Sequence, residues 1–295
     1  MRKIDAVELG GTLFVPATHK HLQAIARGEK FPTLRSAVFD TEDGIADSEL
    51  DVGMEAVASM LETIGSEGAF RFIRPRNPET LRRLLMLPGI EKIDGFVLPK
   101  FGLENAERYL SLIQNSKSNM QHHIMPSIEG EELFDVAKLI RLRDILMPYK
   151  EQIVAVRFGA EDMLRQLGLR RDCSMSLYDM CAPSQVIANV LMTFKPYGFD
   201  VSAPVYRCYK DIEGFEAEVK RDLAEGLVSK TIIHPDQIGP LELVYQVTSG
   251  EAAAAKALLY RDSAVFAQQD EMAEVKTQTR WAEHIISRKE CYGEV

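Results

Sequence analysis

Residues 122–129 read His-His-Ile-Met-Pro-Ser-Ile-Glu, and residues 153–162 read Ile-Val-Ala-Val-Arg-Phe-Gly-Ala-Glu-Asp. Each is a short apolar run that gives way to a carboxylate, Glu129 in the first and Asp162 in the second. A strand covered on both faces is apolar throughout because neither face meets water, whereas a strand with one wet face alternates. Both runs therefore read as buried parallel strands. Six more runs of the same kind lie near 11–16, 36–42, 70–76, 95–100, 199–207 and 230–235. The eight starts are roughly 25 to 46 residues apart, about the length of a βα unit. The expected architecture is a (β/α)8 TIM barrel over residues 1–239, and in such barrels active sites are built at the C-terminal ends of the strands.

The segments between the runs carry helical periodicity. Residues 79–87 place leucines at 81, 84, 85 and 87, and residues 131–146 place Leu133, Val136, Ala137, Ile140 and Ile145 on one stripe. Residues 211–227 form a third such segment. After Gly239 the character changes: no strand-like run is expected, and residues 251–259, with four consecutive alanines, are strong helix formers. Residues 240–295 are thus expected to be a helical C-terminal extension, a lid or an oligomer contact. Leu258, Leu259, Val265 and Phe266 would suit covering a neighbour's site.

Composition narrows the function classes. A net charge of −9 over 295 residues argues against a general nucleic-acid binder. No apolar run approaches the ~20 residues that cross a bilayer, so no membrane partner is expected. The start of the chain lacks the apolar core of a signal peptide. The four cysteines, Cys173, Cys181, Cys208 and Cys291, are too scattered for a disulfide framework and lack CxxC spacing. A cytoplasmic protein with reduced thiols is the expectation.

The strand ends carry the candidate chemistry. Glu129 and Asp162 are two hard oxygen ligands with little else nearby, which suits a Mg2+ that keeps its other positions for water and substrate. Asp40, Glu42 and Asp43 follow the second run; such acids bind metal, orient its waters, or fix an arginine. Arg74 and Arg76 end the third run, where a guanidinium can clamp a substrate carboxylate with two parallel bonds. Lys100 ends the fourth. It is either a Schiff-base nucleophile or a charge partner for the acids, and neighbouring carboxylates favour the second role because they raise its pKa. His234 closes the eighth run as an acid–base group or a structural hydrogen-bonder. Arg165, Arg170 and Arg171 follow the sixth, as phosphate contacts or a solvated basic face.

Six segments, TLFVPA (12–17), AVFDTEDGI (37–45), GFVLPK (95–100), PSIEG (126–130), RFGAEDM (157–163) and IIHPDQI (232–238), resemble in order and spacing the citrate lyase β-subunit family of the HpcH/HpaI aldolase group. The resemblance implies Mg2+ held by Glu129 and Asp162, and a homotrimer or hexamer. It also implies C–C bond making or breaking on a small oxyacid, a 2-oxoacid or a coenzyme A thioester. An acyl-CoA condensing enzyme or thioesterase, or a barrel kept only for binding, is the alternative. Two segments depart from the family's pattern. Arg74-Pro75-Arg76-Asn77 stands where Arg-Val-Asn is usual, and Glu274 stands where related coenzyme A enzymes carry a lid aspartate.

Overall fold

Each of the eight expected runs overlaps a parallel strand in the computed structural model, which describes residues 3–65, 67–116, 122–260, 265–268 and 271–295. These are β1 (Gly11–Pro16), β2 (Ser36–Asp40), β3 (Phe70–Arg74), β4 (Gly95–Leu98), β5 (His123–Ile128), β6 (Arg157–Phe158), β7 (Ser202–Ala203) and β8 (Val228–Ile232). The order in the sheet is β6-β5-β4-β3-β2-β1-β8-β7. A parallel bridge between Val156 and Val201 joins the two ends. There the Val156 amide donates to the Asp200 carbonyl at 2.8 Å and the Ser202 amide to the Val156 carbonyl at 2.9 Å. The sheet is a (β/α)8 barrel. Every residue of β2, β4 and β5 is buried, as expected of strands with side chains on one face and helices on the other.

Several strands end earlier than the sequence implies. Proline cannot donate to a ladder, and Pro75, Pro99 and Pro204 directly follow β3, β4 and β7. The run 153–162 is the largest correction. Only Arg157 and Phe158 pair as a strand, and Gly159 then opens the helix Ala160–Gln166, so Asp162 stands in a helix's first turn.

The helical stripe of 131–146 is also corrected. Residues Glu131–Phe134 form a 3-10 turn, and Asp135 starts a new helix, Val136–Leu146, by accepting from the Ala137 amide at 2.9 Å. That restart rotates the buried face onto Leu139, Leu142 and Leu146, leaving Val136, Ala137 and Ile140 exposed. The helix Pro78–Leu84 begins as its sequence implies. Asn77 caps it by accepting from the Thr80 amide at 2.9 Å, and proline takes the first helical position, where no amide is needed.

The thiols are corrected as well. Cys173 and Cys208 form a disulfide with a Cα–Cα distance of 5.8 Å, while Cys181 and Cys291 stay outside any disulfide. The two partners lie on loops after β6 and β7, which the closed barrel makes neighbours. Arg171 is neither a phosphate contact nor part of a solvated face. Its side chain is 1% exposed and pairs with Glu218 at 2.8 Å, beside a second buried pair, Lys230 with Asp222 at 2.6 Å.

Residues Gly239–Val295 form a second compact unit. Its helices Ser249–Tyr260 and Val275–Tyr292 fall where helix was expected. One expectation fails. Strands Val265–Gln268 and Glu271–Glu274 pair antiparallel, although no strand was foreseen. The unit also has its own apolar cluster, in which Val247, Ala255, Leu258 and Ile285 are buried and Leu259 packs against them. Leu258 and Leu259 are therefore committed inside the unit, Val265 is exposed, and the Phe266 side chain lies outside the described residues. Among the described residues, no helix is long and apolar enough to cross a membrane.

Candidate active site

The acidic loop after β2 is organised by its own first residue. Asp40 accepts from the Glu42 amide at 2.9 Å with one oxygen and from the Gly44 amide at 2.8 Å with the other, which curls residues 41–44 back over the strand end. The same carboxylate receives Arg74 in a two-point fork, Nε at 2.7 Å and Nη2 at 2.6 Å. Arg74 Nη1 lies 3.2 Å from Glu42 Oε2. Burial alone would lower the Arg74 pKa, but the Asp40 and Glu42 charges outweigh it and hold the guanidinium more firmly protonated than usual. Arg76 commits its donors to the loop: Nε to the Thr41 carbonyl at 3.1 Å, Nη2 to those of Glu42 and Ile45 at 3.0 and 2.8 Å, and Nη1 to the Asp47 carboxylate.

Lys100 bonds the Glu42 carboxylate and lies 3.1 Å from Asp43 Oδ1. Partial burial pulls its pKa down, yet the two acids raise it above the usual lysine value, so it stays an ammonium. That is the charge-partner role. Its backbone is left-handed, with φ 46°, a conformation that strains a residue with a Cβ. The Glu42 side chain is 3% exposed and that of Asp43 is 58%. Burial raises the Glu42 pKa. For Asp43, burial acts upward but hydrogen bonding to Glu42 and Lys100 prevails, and its pKa is lowered.

Glu129 follows β5 and is buried, with Oε2 lacking any hydrogen-bond partner. Burial pushes its pKa up to about 7. Asp162 faces it across Gly159: a methyl group built there would stand 2.7 Å from Glu129 Cγ and 3.2 Å from Asp162 Oδ2. Only glycine leaves room for both acids. Gln166 ties their backbones together, its Nε2 donating to the Glu129 carbonyl at 2.7 Å and the Asp162 carbonyl at 3.2 Å. Arg165 holds Asp162 Oδ1 at 2.8 Å. Among the described residues no three His, Cys, Asp or Glu side chains converge as a metal cage. Two carboxylates with an orphaned buried oxygen fit instead the few hard oxygen ligands that Mg2+ takes, since it is reluctant to shed its waters.

The structure thus brings Glu42, Asp43, Arg74, Lys100, Glu129 and Asp162 to the C-terminal ends of the strands, with Arg76 behind the acidic loop. His234 stacks on Tyr209, with ring centroids 4.2 Å apart, and its Nδ1 accepts from the Asp236 amide at 3.3 Å, a structural use. Sequence reasoning missed Gly159 and Arg157. Gly159 was visible only as a glycine between two acids' segments. Arg157 was visible as a charge inside an otherwise apolar strand. It is 3% exposed, donates to Thr231 Oγ1 at 2.5 Å and Met125 Sδ at 3.6 Å, and lies 5.4 Å from the Phe14 ring centroid. At the ends of β1 and β8 a cleft of about 520 Å³ is lined by Phe14, Lys20, Lys30 and Ile233 among others.

Known proteins share this architecture. A protein CitE from Mycobacterium tuberculosis, solved with magnesium, acetoacetate and coenzyme A, superimposes with a TM-score of 0.70 at 21% identity, covering 96% of this chain and 98% of that one. A citrate lyase from Burkholderia xenovorans gives a TM-score of 0.79 at 17% identity, covering 99% and 94%. At these identities the likeness concerns the fold. A (3S)-malyl-CoA thioesterase from Cereibacter sphaeroides is 24% identical over 243 residues, 81% of this chain and 78% of the relative. The citrate lyase-like resemblance of the six segments is borne out, and the family model for C–C bond lyases of the TIM-barrel fold matches residues 3–294, so this chain belongs to that family.

Proposed function

We propose that this protein is a Mg2+-dependent C–C lyase of the citrate lyase β-like type, acting on a small oxyacid, a 2-oxoacid or its coenzyme A thioester. The observation that carries the reading is the buried Glu129 carboxylate, with an unpartnered oxygen, facing Asp162 across Gly159. Mg2+ held by these two acids would supply Lewis acidity to a substrate oxygen beside the bond that breaks. The chain's own residues set the stage. Glu42 and Asp43, fixed by Lys100, present acceptors to water and substrate. Arg74 and Arg76, expected as substrate clamps, act in this reading by holding the acidic loop, since their donors are engaged there. The two lysines and the apolar wall of the cleft beside β1 and β8 fit the phosphates and the chain of a coenzyme A thioester.

A second reading, thioester hydrolysis, is supported by the malyl-CoA thioesterase relative. The products separate the two: a lyase yields two carbon fragments, whereas a thioesterase yields free acid and coenzyme A thiol. The same proposal takes the protein as a cytoplasmic homotrimer or hexamer without nucleic-acid or membrane partners. The deciding experiment replaces Glu129 or Asp162 by alanine and measures Mg2+ binding by calorimetry and turnover of oxyacids and acyl-CoA esters. Both variants should keep the fold, bind Mg2+ at least about tenfold more weakly and lose turnover, as expected when one of two ligands goes. Undiminished turnover in excess EDTA would overturn the metal mechanism.

A further inference from the structure

We propose that Arg157 receives the substrate's carboxylate, the role that the sequence offered to Arg74 or Arg76. The inference rests on the proposed oxyacid chemistry and deepens it. Around the strand ends the cations differ in one respect. Arg74 is forked onto Asp40, Arg76 onto the loop and Asp47, Lys100 onto Glu42 and Asp43, and Arg165 onto Asp162. Arg157 has no carboxylate partner among the described residues; it bonds a hydroxyl and a thioether. Its side chain is nevertheless buried, although burying an ion without a direct ion pair is unfavourable. Burial first, and then Arg74, bring its pKa down to about 10 against the more distant charge of Glu129, which acts upward, so it stays charged at neutral pH. A buried guanidinium whose own bonds go only to a hydroxyl and a thioether has donors to offer an anion.

Its position agrees. Arg157 pairs in register with Ser127, two residues before Glu129, and lies five residues before Asp162. It shares the Phe14 ring with Arg74, the two guanidinium carbons lying 5.4 and 5.1 Å from the ring centroid. An acid chelating a metal at Glu129 and Asp162 would therefore have this guanidinium within the same barrel mouth.

The test compares wild type, Arg157→Met and Arg157→Lys by thermal unfolding and calorimetry, with Mg2+ alone and with Mg2+ plus oxalate, the smallest chelating dicarboxylate. Wild type should be stabilised by Mg2+ and further by oxalate. Arg157→Met should bind Mg2+ within about twofold of wild type but oxalate at least about tenfold more weakly, the loss expected for a charge-assisted bond. Arg157→Lys should recover part of that loss, because it keeps the charge without the fork. Without ligands, Arg157→Met should melt no lower than wild type, since it removes a buried charge that no ion pair holds. Equal oxalate binding in wild type and Arg157→Met would overturn the inference, as would no oxalate shift in wild type. A parallel loss of Mg2+ affinity, or a ligand-free melting point lower by about 5 °C or more, would mark Arg157 as structural and overturn it as well. Failure of Mg2+ to bind wild type at all would instead overturn the proposed function.

Discussion

Arg74 shows how a residue chosen for one role can be tied to another. Its fork onto the buried Asp40 makes it a keystone of the β2–β3 rim. Arg74→Ala leaves Asp40 buried without a counter-charge and should cost about 3–5 kcal/mol in urea unfolding. Arg74→Lys, a point charge without the fork, should cost about 1.5–3 kcal/mol. A loss under about 1 kcal/mol for both would reduce the pair to a surface contact. A second residue-scale expectation concerns pH. His122, at the opposite end of β5 from Glu129, is buried with Nε2 unpartnered, and burial lowers its pKa from 6.5. Below about pH 6.5 the unfolded chain takes up this proton more readily than the folded one, so stability falls as pH falls, by at most about 1.4 kcal/mol per pH unit from this group. His122→Gln, which stays neutral, should lose stability less steeply between pH 6.5 and 5. Parallel pH profiles for the two proteins would show that His122 does not titrate in folding.

At the scale of elements, the loops after β6 and β7 are bound together more than their sequences reveal. Besides the disulfide, Tyr206 donates to the Cys173 carbonyl at 3.1 Å and Arg207 to the Arg171 carbonyl at 3.0 Å. Arg207 also lies 3.6 Å from Glu161, next to Asp162. The bridge spans 35 residues, for which loop-closure entropy gives roughly 3–4 kcal/mol as an upper figure. Cys173→Ser, or reduction of the wild type, should lower stability by up to that amount. Thiol titration of denatured protein should find two free thiols without reductant and four with it, from Cys181 and Cys291 and then the opened pair. Four thiols before reduction would mean that the bridge is not made in solution.

At the scale of the whole molecule, assembly is the property that composition leaves untouched. The proposed trimer or hexamer predicts that light scattering at micromolar concentration gives a mass three or six times the 33.2 kDa chain. A monomer mass would refute it. The sequence by itself determined the barrel, because eight doubly covered strands must each be apolar, and that demand is written locally at each run. It also pointed to Glu129, because a strand's end shows where an apolar run stops, whereas Asp162, read at the same kind of end, stands in the first turn of the helix that follows β6. Tertiary structure decided what long-range proximity controls. Asp40 captures Arg74 across two strands, and Cys173 finds Cys208 only once the barrel brings their loops together. Gly159 is obligatory only because two acids meet above it. The tail's hairpin and private core were equally hidden, since short segments pair or bury one another by contacts that no local periodicity records. Whether a charge is paired, spare or solvated is likewise a property of its neighbours in space, which is why Arg157 passed as one more residue in an apolar run.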